Sequence, residues 1–201
     1  MIRLLTLADS SSYQNLKLQS LQTDPLAFLS SYEREKNFPL SYYQQKIHYT
    51  NLPPIFGIYG IFSSRNHNLV TSDGGRLSLR SHDSSEVESN HLKEAKLVGL
   101  AQLSQEYHLK KHHLANIYDV YIDPKLRHQG YAKQLLTHLI QTAKTYSVLE
   151  ELQLWCNSRN LPAIKLYESL GFTLAATRLN AVKEPDGTYQ DELQFSLSLK
   201  T

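Results

Sequence analysis

Residues 127–133 read RHQGYAK, setting Arg127, His128, Gln129, Gly130, Tyr131, Ala132 and Lys133 directly ahead of a long amphipathic repeat. The first turn of a helix carries backbone N–H groups with no carbonyl partner, at the positive end of the helix dipole. Together these attract an anion. Gly130 and Ala132 lack the bulk that would hold an anion away from those groups, and Arg127 and Lys133 can add charge at the rim. A capping glycine alone is the plainer reading, but the combination fits a diphosphate better. A nucleotide P-loop would need G-x-x-x-x-G-K-[ST], which the chain lacks. A dinucleotide fingerprint would need G-x-G-x-x-G after the first strand, and neither the glycines nor the position match.

A second stretch, 160–172, reads NLPAIKLYESLGF. Asn160 suits an N-cap, Pro162 the first helical turn, and Gly171 the position after a helix end. Ala163, Leu166, Tyr167 and Leu170 share one face, so a core tyrosine is the plain reading of Tyr167.

The elements that must position these residues follow from periodicity. Ala132, Leu135, Leu136, Leu139, Ile140 and Ala143 recur at helical spacing and predict a helix over 131–145 laid on a sheet. Strands are expected at 2–7, 54–62, 96–107, 115–122 and 152–156, the third and fourth being antiparallel partners. Asp9 and the serines after it predict a helix to about Leu21. Residues 24–40 read as a long connection, 41–47 as a short helix, 161–170 as another, and the C-terminal stretch as a hairpin around Pro185-Asp186-Gly187. Residues 63–93 are polar and serine-rich, and are expected to form a solvated insertion between two core strands.

Bulk properties narrow the function classes. A chain of 201 residues with 41% hydrophobic content suits one globular domain, here expected over 1–201. A net charge of +2 gives no support to nucleic-acid binding. The single cysteine excludes an internal disulfide and a cysteine-based zinc site. No stretch approaches a membrane span and the N-terminus is too short in apolar residues for a signal peptide, so a cytoplasmic setting is expected. His108, His112 and His113 invite a metal reading, but no carboxylate completes a ligand set and no metal is expected. Cys156 reads as a small hydrophobe rather than a nucleophile.

Arg127-x-x-Gly130-x-Ala132, between a strand end and an amphipathic helix, resembles the [QR]-x-x-G-x-[GA] acetyl-CoA loop of the GNAT superfamily of N-acyltransferases. Asn160, Ala163, Leu166, Tyr167, Gly171 and Phe172 resemble its N-x-x-A-x-x-L-Y-x-x-x-G-F signature. The resemblance is close over 117–172 and looser over 1–60. It implies an α/β fold of the α+β kind: a mixed, mostly antiparallel sheet of six to seven strands. The sheet would be V-splayed between two central parallel strands and flanked by helices on both faces.

By the same resemblance, acetyl-CoA is the acyl donor. Its pantetheine would pair with Val120, Tyr121 and Ile122, and its diphosphate would rest on the N–H groups from His128 to Lys133. Asn160 and Tyr167 would approach the pantetheine and the sulfur. The implied activity is acetyl transfer to a primary amine of a small molecule, peptide or protein by direct attack. A non-catalytic acyl-CoA-binding sensor is the alternative. An amine with a pKa near roughly 10.4 must shed a proton before it attacks, and the departing thiolate needs one, which Tyr167 can donate. Asp119 is the acidic candidate, as a base through water, as a contact for the amine's charge, or as a support of the fold. Some relatives carry a glutamate base where Asn116 stands here. Tyr32, Glu33, Glu35 and Phe38 would lie in the loop walling the acceptor pocket, where surface charges are the simpler explanation of the acids. An exposed C-terminal sheet edge is compatible with a homodimer.

Overall fold

The computed structural model describes residues 1–50, 56–63 and 95–200. In chain order these form β1 (Ile2–Leu4), α1 (Ser10–Thr23), α2 (Tyr32–Glu35), α3 (Leu40–Thr50), β2 (Phe56–Ser63), β3 (Lys96–Gln105) and β4 (Leu114–Ile122). There follow α4 (Tyr131–Lys144), β5 (Glu151–Asn157), α5 (Leu161–Ser169), β6 (Thr173–Lys183) and β7 (Tyr189–Ser198). The strands make one sheet in the order β1-β2-β3-β4-β5-β7-β6. All neighbours are antiparallel except β4 and β5.

Two apolar layers hold helices on the two faces. On one, Leu135, Leu136, Leu139, Ile140 and Ala143 of α4 pack with Val98, Ala101, Leu103, Ala115 and Ile117, and the layer continues to Tyr167, Phe172 and Phe195. On the other, Tyr13, Leu16, Tyr43 and Ile47 of α1 and α3 pack with Ile58, Phe62, Leu97 and Leu100. Alternate residues of a strand face opposite layers, so β2 supplies Ile58 to one and Tyr59 to the other.

The parallel ladder is short. It runs from Leu114↔Glu151 to Ile117↔Leu154 and stops there, leaving the β5-side edge of β4 without a strand partner from Tyr118 to Ile122. The sheet opens into a V at that point. A bulge lies at the same place: Tyr118 pairs with Gln102 and Tyr121 with Leu100, so Asp119 and Val120 together face Ala101. Asp119 takes a positive φ of 55°, a left-handed conformation that Asp tolerates better than most residues.

Three sequence expectations change. β1 ends at Leu4 rather than residue 7, because Thr6–Asp9 closes into a 3₁₀ turn. There the Asp9 carboxylate accepts the Thr6 N–H at 2.8 Å and both Arg3 amino groups at 2.7 and 2.8 Å. The connection at 24–40 contains a 3₁₀ turn, Pro25–Ala27, and α2, which are too short to carry a periodic signal. Glu35 is no surface charge: it is 1% exposed and accepts from the Tyr43 hydroxyl. The expected insertion, beyond Ser63, lies outside the described residues. The C-terminal hairpin is present, turning at Gly187 with φ 86°.

Candidate active site

The V opens into a cleft of about 800 Å³. Its walls are the free edge of β4, the turn into α4, the N-terminal half of α5, residues 26–30 after α1, and the far ends of β5, β6 and β7. Asp119, Val120, Tyr121, Ile122, Arg127, His128, Gly130, Tyr131, Ala132, Lys133, Asn160 and Tyr167 all line it; of the candidate residues only Gln129 does not. Tyr32, Glu33, Glu35 and Phe38 are not among its lining, and Leu26–Ser30 holds the place expected of them.

The turn into α4 is shaped for an anion by its backbone. His128 and Gly130 both have positive φ, 61° and 81°, which folds consecutive N–H groups toward one concavity. Among the described residues, the N–H groups from His128 to Lys133 donate to no carbonyl, and the first helical bond is from Gln134 to the Gly130 carbonyl at 2.9 Å. Arg127 is less available than its type suggested. Its guanidinium makes two bonds to Asp24, at 3.1 and 2.5 Å, and its Nε donates to the Ile122 carbonyl at 3.1 Å. Burial alone would raise Asp24, but the Arg127 guanidinium holds its carboxyl below the ordinary value. Arg127 therefore ties the α1 end to β4, and the Ile122 carbonyl is already engaged.

On the opposite wall, Asn160 caps α5, its Oδ1 accepting the Ala163 N–H at 3.3 Å. The cap aims the helix start into the V. Tyr167, on the second turn, is 6% exposed and its ring packs on Phe172 and Phe195. Burial, with a smaller contribution from Cys156, pushes its phenol above the ordinary value, so the hydroxyl keeps its proton at neutral pH. Cys156 also lines the cleft, where burial and then the Glu192 carboxylate raise its thiol to about 11. A thiol so raised is protonated at neutral pH and is a poor nucleophile.

Lys17 was not anticipated. Its ammonium donates to Asp119 Oδ1 at 2.7 Å and lies 4.5 Å from the centre of the Phe28 ring, with its side chain 2% exposed against 23% for Asp119. The signal was in α1: Tyr13, Leu16, Lys17, Ser20 and Leu21 form its buried stripe, and a lysine in such a stripe needs a partner. Asn116 lies outside the cleft lining and donates to Glu106 at 2.8 Å. Among the described residues no three His, Cys, Asp or Glu side chains converge as a metal site, and no helix is long and apolar enough to cross a membrane.

A sheet splayed between its two parallel strands, with unpaired N–H groups at one wall and a capped helix at the other, is the architecture the two motifs implied. The family model for the acetyltransferase (GNAT) family matches residues 64–172, more than half of the chain, and the chain belongs to that family. A [ribosomal protein bS18]-alanine N-acetyltransferase of Haemophilus ducreyi is 35% identical over 85 residues, 42% of this chain; the chain spans 58% of that relative's length. An acetyltransferase of the GNAT family from Streptococcus pneumoniae superposes with a TM-score of 0.75 over 98% of both chains at 16% identity. The yncA protein of Salmonella typhimurium, solved with its cofactor acetyl-CoA, gives a TM-score of 0.66 over all of this chain and 94% of its own at 16% identity.

Proposed function

We propose that this chain transfers the acetyl group of acetyl-CoA to a primary amine by direct attack, without an acyl-enzyme. The observation that carries the reading is one cleft lined together by the strand-free edge of β4, by Tyr167, and by residues of the 128–133 turn whose N–H groups meet no carbonyl among the described residues. The diphosphate rests on those N–H groups. Pantetheine pairs with the β4 edge at Val120 and Tyr121, as an added strand would. This sets the thioester at the mouth of the V, near Asn160 and Tyr167.

The amine, having lost its proton, attacks the thioester carbonyl, the tetrahedral intermediate collapses, and the CoA thiolate leaves. Tyr167 gives the thiolate a proton and regains one from water. Asp119 serves through Lys17, holding a buried ammonium and a left-handed bulge beside the reacting carbonyl, and is not the base. Water in the cleft carries off the proton that the ammonium sheds before attack and the second proton that the nitrogen loses as the intermediate collapses to the amide. The names of the curated relatives support a protein α-amine as one acceptor to try first, and the single thiol agrees with a cytoplasmic place of action.

The test is thiol release from acetyl-CoA with a panel of primary amines and N-terminal peptides, with products identified by mass spectrometry. Tight acetyl-CoA binding with no amine acetylated would sink the transfer reading in favour of a sensor.

A further inference from the structure

Beyond Leu154, β5 leaves β4 and runs along β7, with Trp155 opposite Gln194 and Asn157 opposite Glu192. On the other side of β7, Glu192 pairs with Arg178 of β6. In a strand, residues two apart share a face and so do direct cross-strand partners. Trp155, Glu192 and Arg178 therefore stand together on one face, and all three line the cleft. The Arg178 guanidinium lies 5.7 Å from the centre of the Trp155 ring and donates to Glu192 at 3.3 Å. Its side chain is 61% exposed, whereas that of Glu192 is 16% exposed. The carboxylate is mostly shielded from solvent, and the cation that contacts it is mostly exposed.

The other carboxylates of the cleft are more firmly engaged. Asp24 takes two bonds from Arg127, Asp119 takes the buried Lys17 ammonium, and Asp191 accepts the Asn180 N–H at 2.8 Å. Glu192 alone is matched only by a long contact to an exposed arginine.

We propose that the Trp155–Glu192 corner binds a cationic group of the acceptor other than the amine that is acetylated, and that Arg178 occupies the corner until the acceptor displaces it. The inference rests on the transfer activity proposed above. A carboxylate and an aromatic face stabilise a cation and keep an ammonium protonated. The reacting amine must be neutral when it attacks, so this corner opposes reaction at any nitrogen it holds. It suits instead a second group that stays charged throughout the reaction, and the guanidinium already there shows that one fits. The acceptor class is a primary amine bearing a guanidinium or second ammonium, either a small diamine or a peptide with a basic residue near its N-terminus.

Isosteric probes test this. Agmatine is compared with its urea analogue N-carbamoylputrescine, and the peptide Ala-Arg-Ala with Ala-citrulline-Ala, so that only the charge differs within a pair. Each is measured as kcat/KM by thiol release and as Kd by calorimetry on the CoA-saturated protein. The charged member is preferred about tenfold or more in at least one pair, as expected of a charge-assisted contact, and that pair identifies the acceptor source. Glu192→Gln brings the ratio toward one, Trp155→Leu lowers it, and Arg178→Ala raises it by removing the competitor. Equal Kd values within both pairs, or no binding of any probe to a protein that binds acetyl-CoA, overturn the inference. Failure to bind acetyl-CoA itself overturns instead the activity on which it rests. Circular dichroism of each variant keeps a folding defect apart from a lost contact.

Discussion

At the scale of single residues, Tyr167 and Asp119 look alike as cleft-lining polar groups but differ in what holds them. The Tyr167 hydroxyl has no hydrogen-bond partner among the described residues, while aromatic packing fixes its ring. Tyr167→Phe keeps the packing and removes the donor, so kcat should fall about 10²–10⁴-fold with acetyl-CoA affinity little changed. Near wild-type turnover in that variant would leave the tyrosine a packing role only. Asp119 is committed to Lys17, and the pair is unequal because only Asp119 reaches water. Asp119→Asn tolerates the left-handed φ but leaves a buried ammonium unneutralised, at a cost of about 3 kcal/mol. Lys17→Met leaves a carboxylate that solvent can reach, and should cost less. Denaturant midpoints for the two variants check that order, and the reverse order would contradict the burial assigned to each partner.

At the scale of elements, the turn into α4 does its work through backbone. Gly130 sits at φ 81°, and a Cβ there would meet nothing closer than the Gln134 Nε2 at 3.7 Å. The strain of substitution is therefore conformational, roughly 1–2 kcal/mol for a non-glycine residue. Gly130→Ala should lose stability of that order and bind acetyl-CoA somewhat less well. Gly130→Glu adds a carboxylate where the diphosphate approaches, and its Kd should rise at least about tenfold beyond that of the alanine variant. Calorimetry on both separates the two effects; equal affinities would show that the diphosphate lies elsewhere. The motif itself, Arg127-x-x-Gly130-x-Ala132, was legible in the sequence because turn chemistry and helix periodicity are local. The pairing of Arg127 with Asp24, 103 positions away, was not.

For the whole molecule, acid stability includes a contribution from the Arg3–Asp9 ion pair that ties β1 to the start of α1. The Arg3 guanidinium, against the opposing effect of burial, holds the Asp9 carboxyl at about 2, below its ordinary 3.8. A depressed carboxyl stabilises the fold above its unfolded pKa and loses that contribution as pH falls through the folded one. Asp9→Asn should therefore cost about 1–2 kcal/mol near neutral pH, after allowance for the half-exposed Arg3. The gap between variant and wild type should close between about pH 4 and pH 2. Thermal unfolding across that range measures it, and a gap independent of pH would show that the loss is not electrostatic.

The two motifs, the long helix, most strands and the C-terminal hairpin could be read from the chain alone, because each is a repeat or a turn spanning a few residues. The family resemblance then implied a splayed mixed sheet with helices on both faces, and the structure has that architecture. Other features came only with the assembled fold. The ladder between β4 and β5 ends at Ile117 and Leu154, and no residue type at those positions announces it. Lys17 meets Asp119 across 102 positions, and Trp155, Arg178 and Glu192 come together only because β7 lies between β5 and β6. Periodicity records which face of an element is buried; it holds no record of which distant element covers that face. The partner of a buried charge, and the shape of the cleft where two strands part, are therefore decided by sheet order and register.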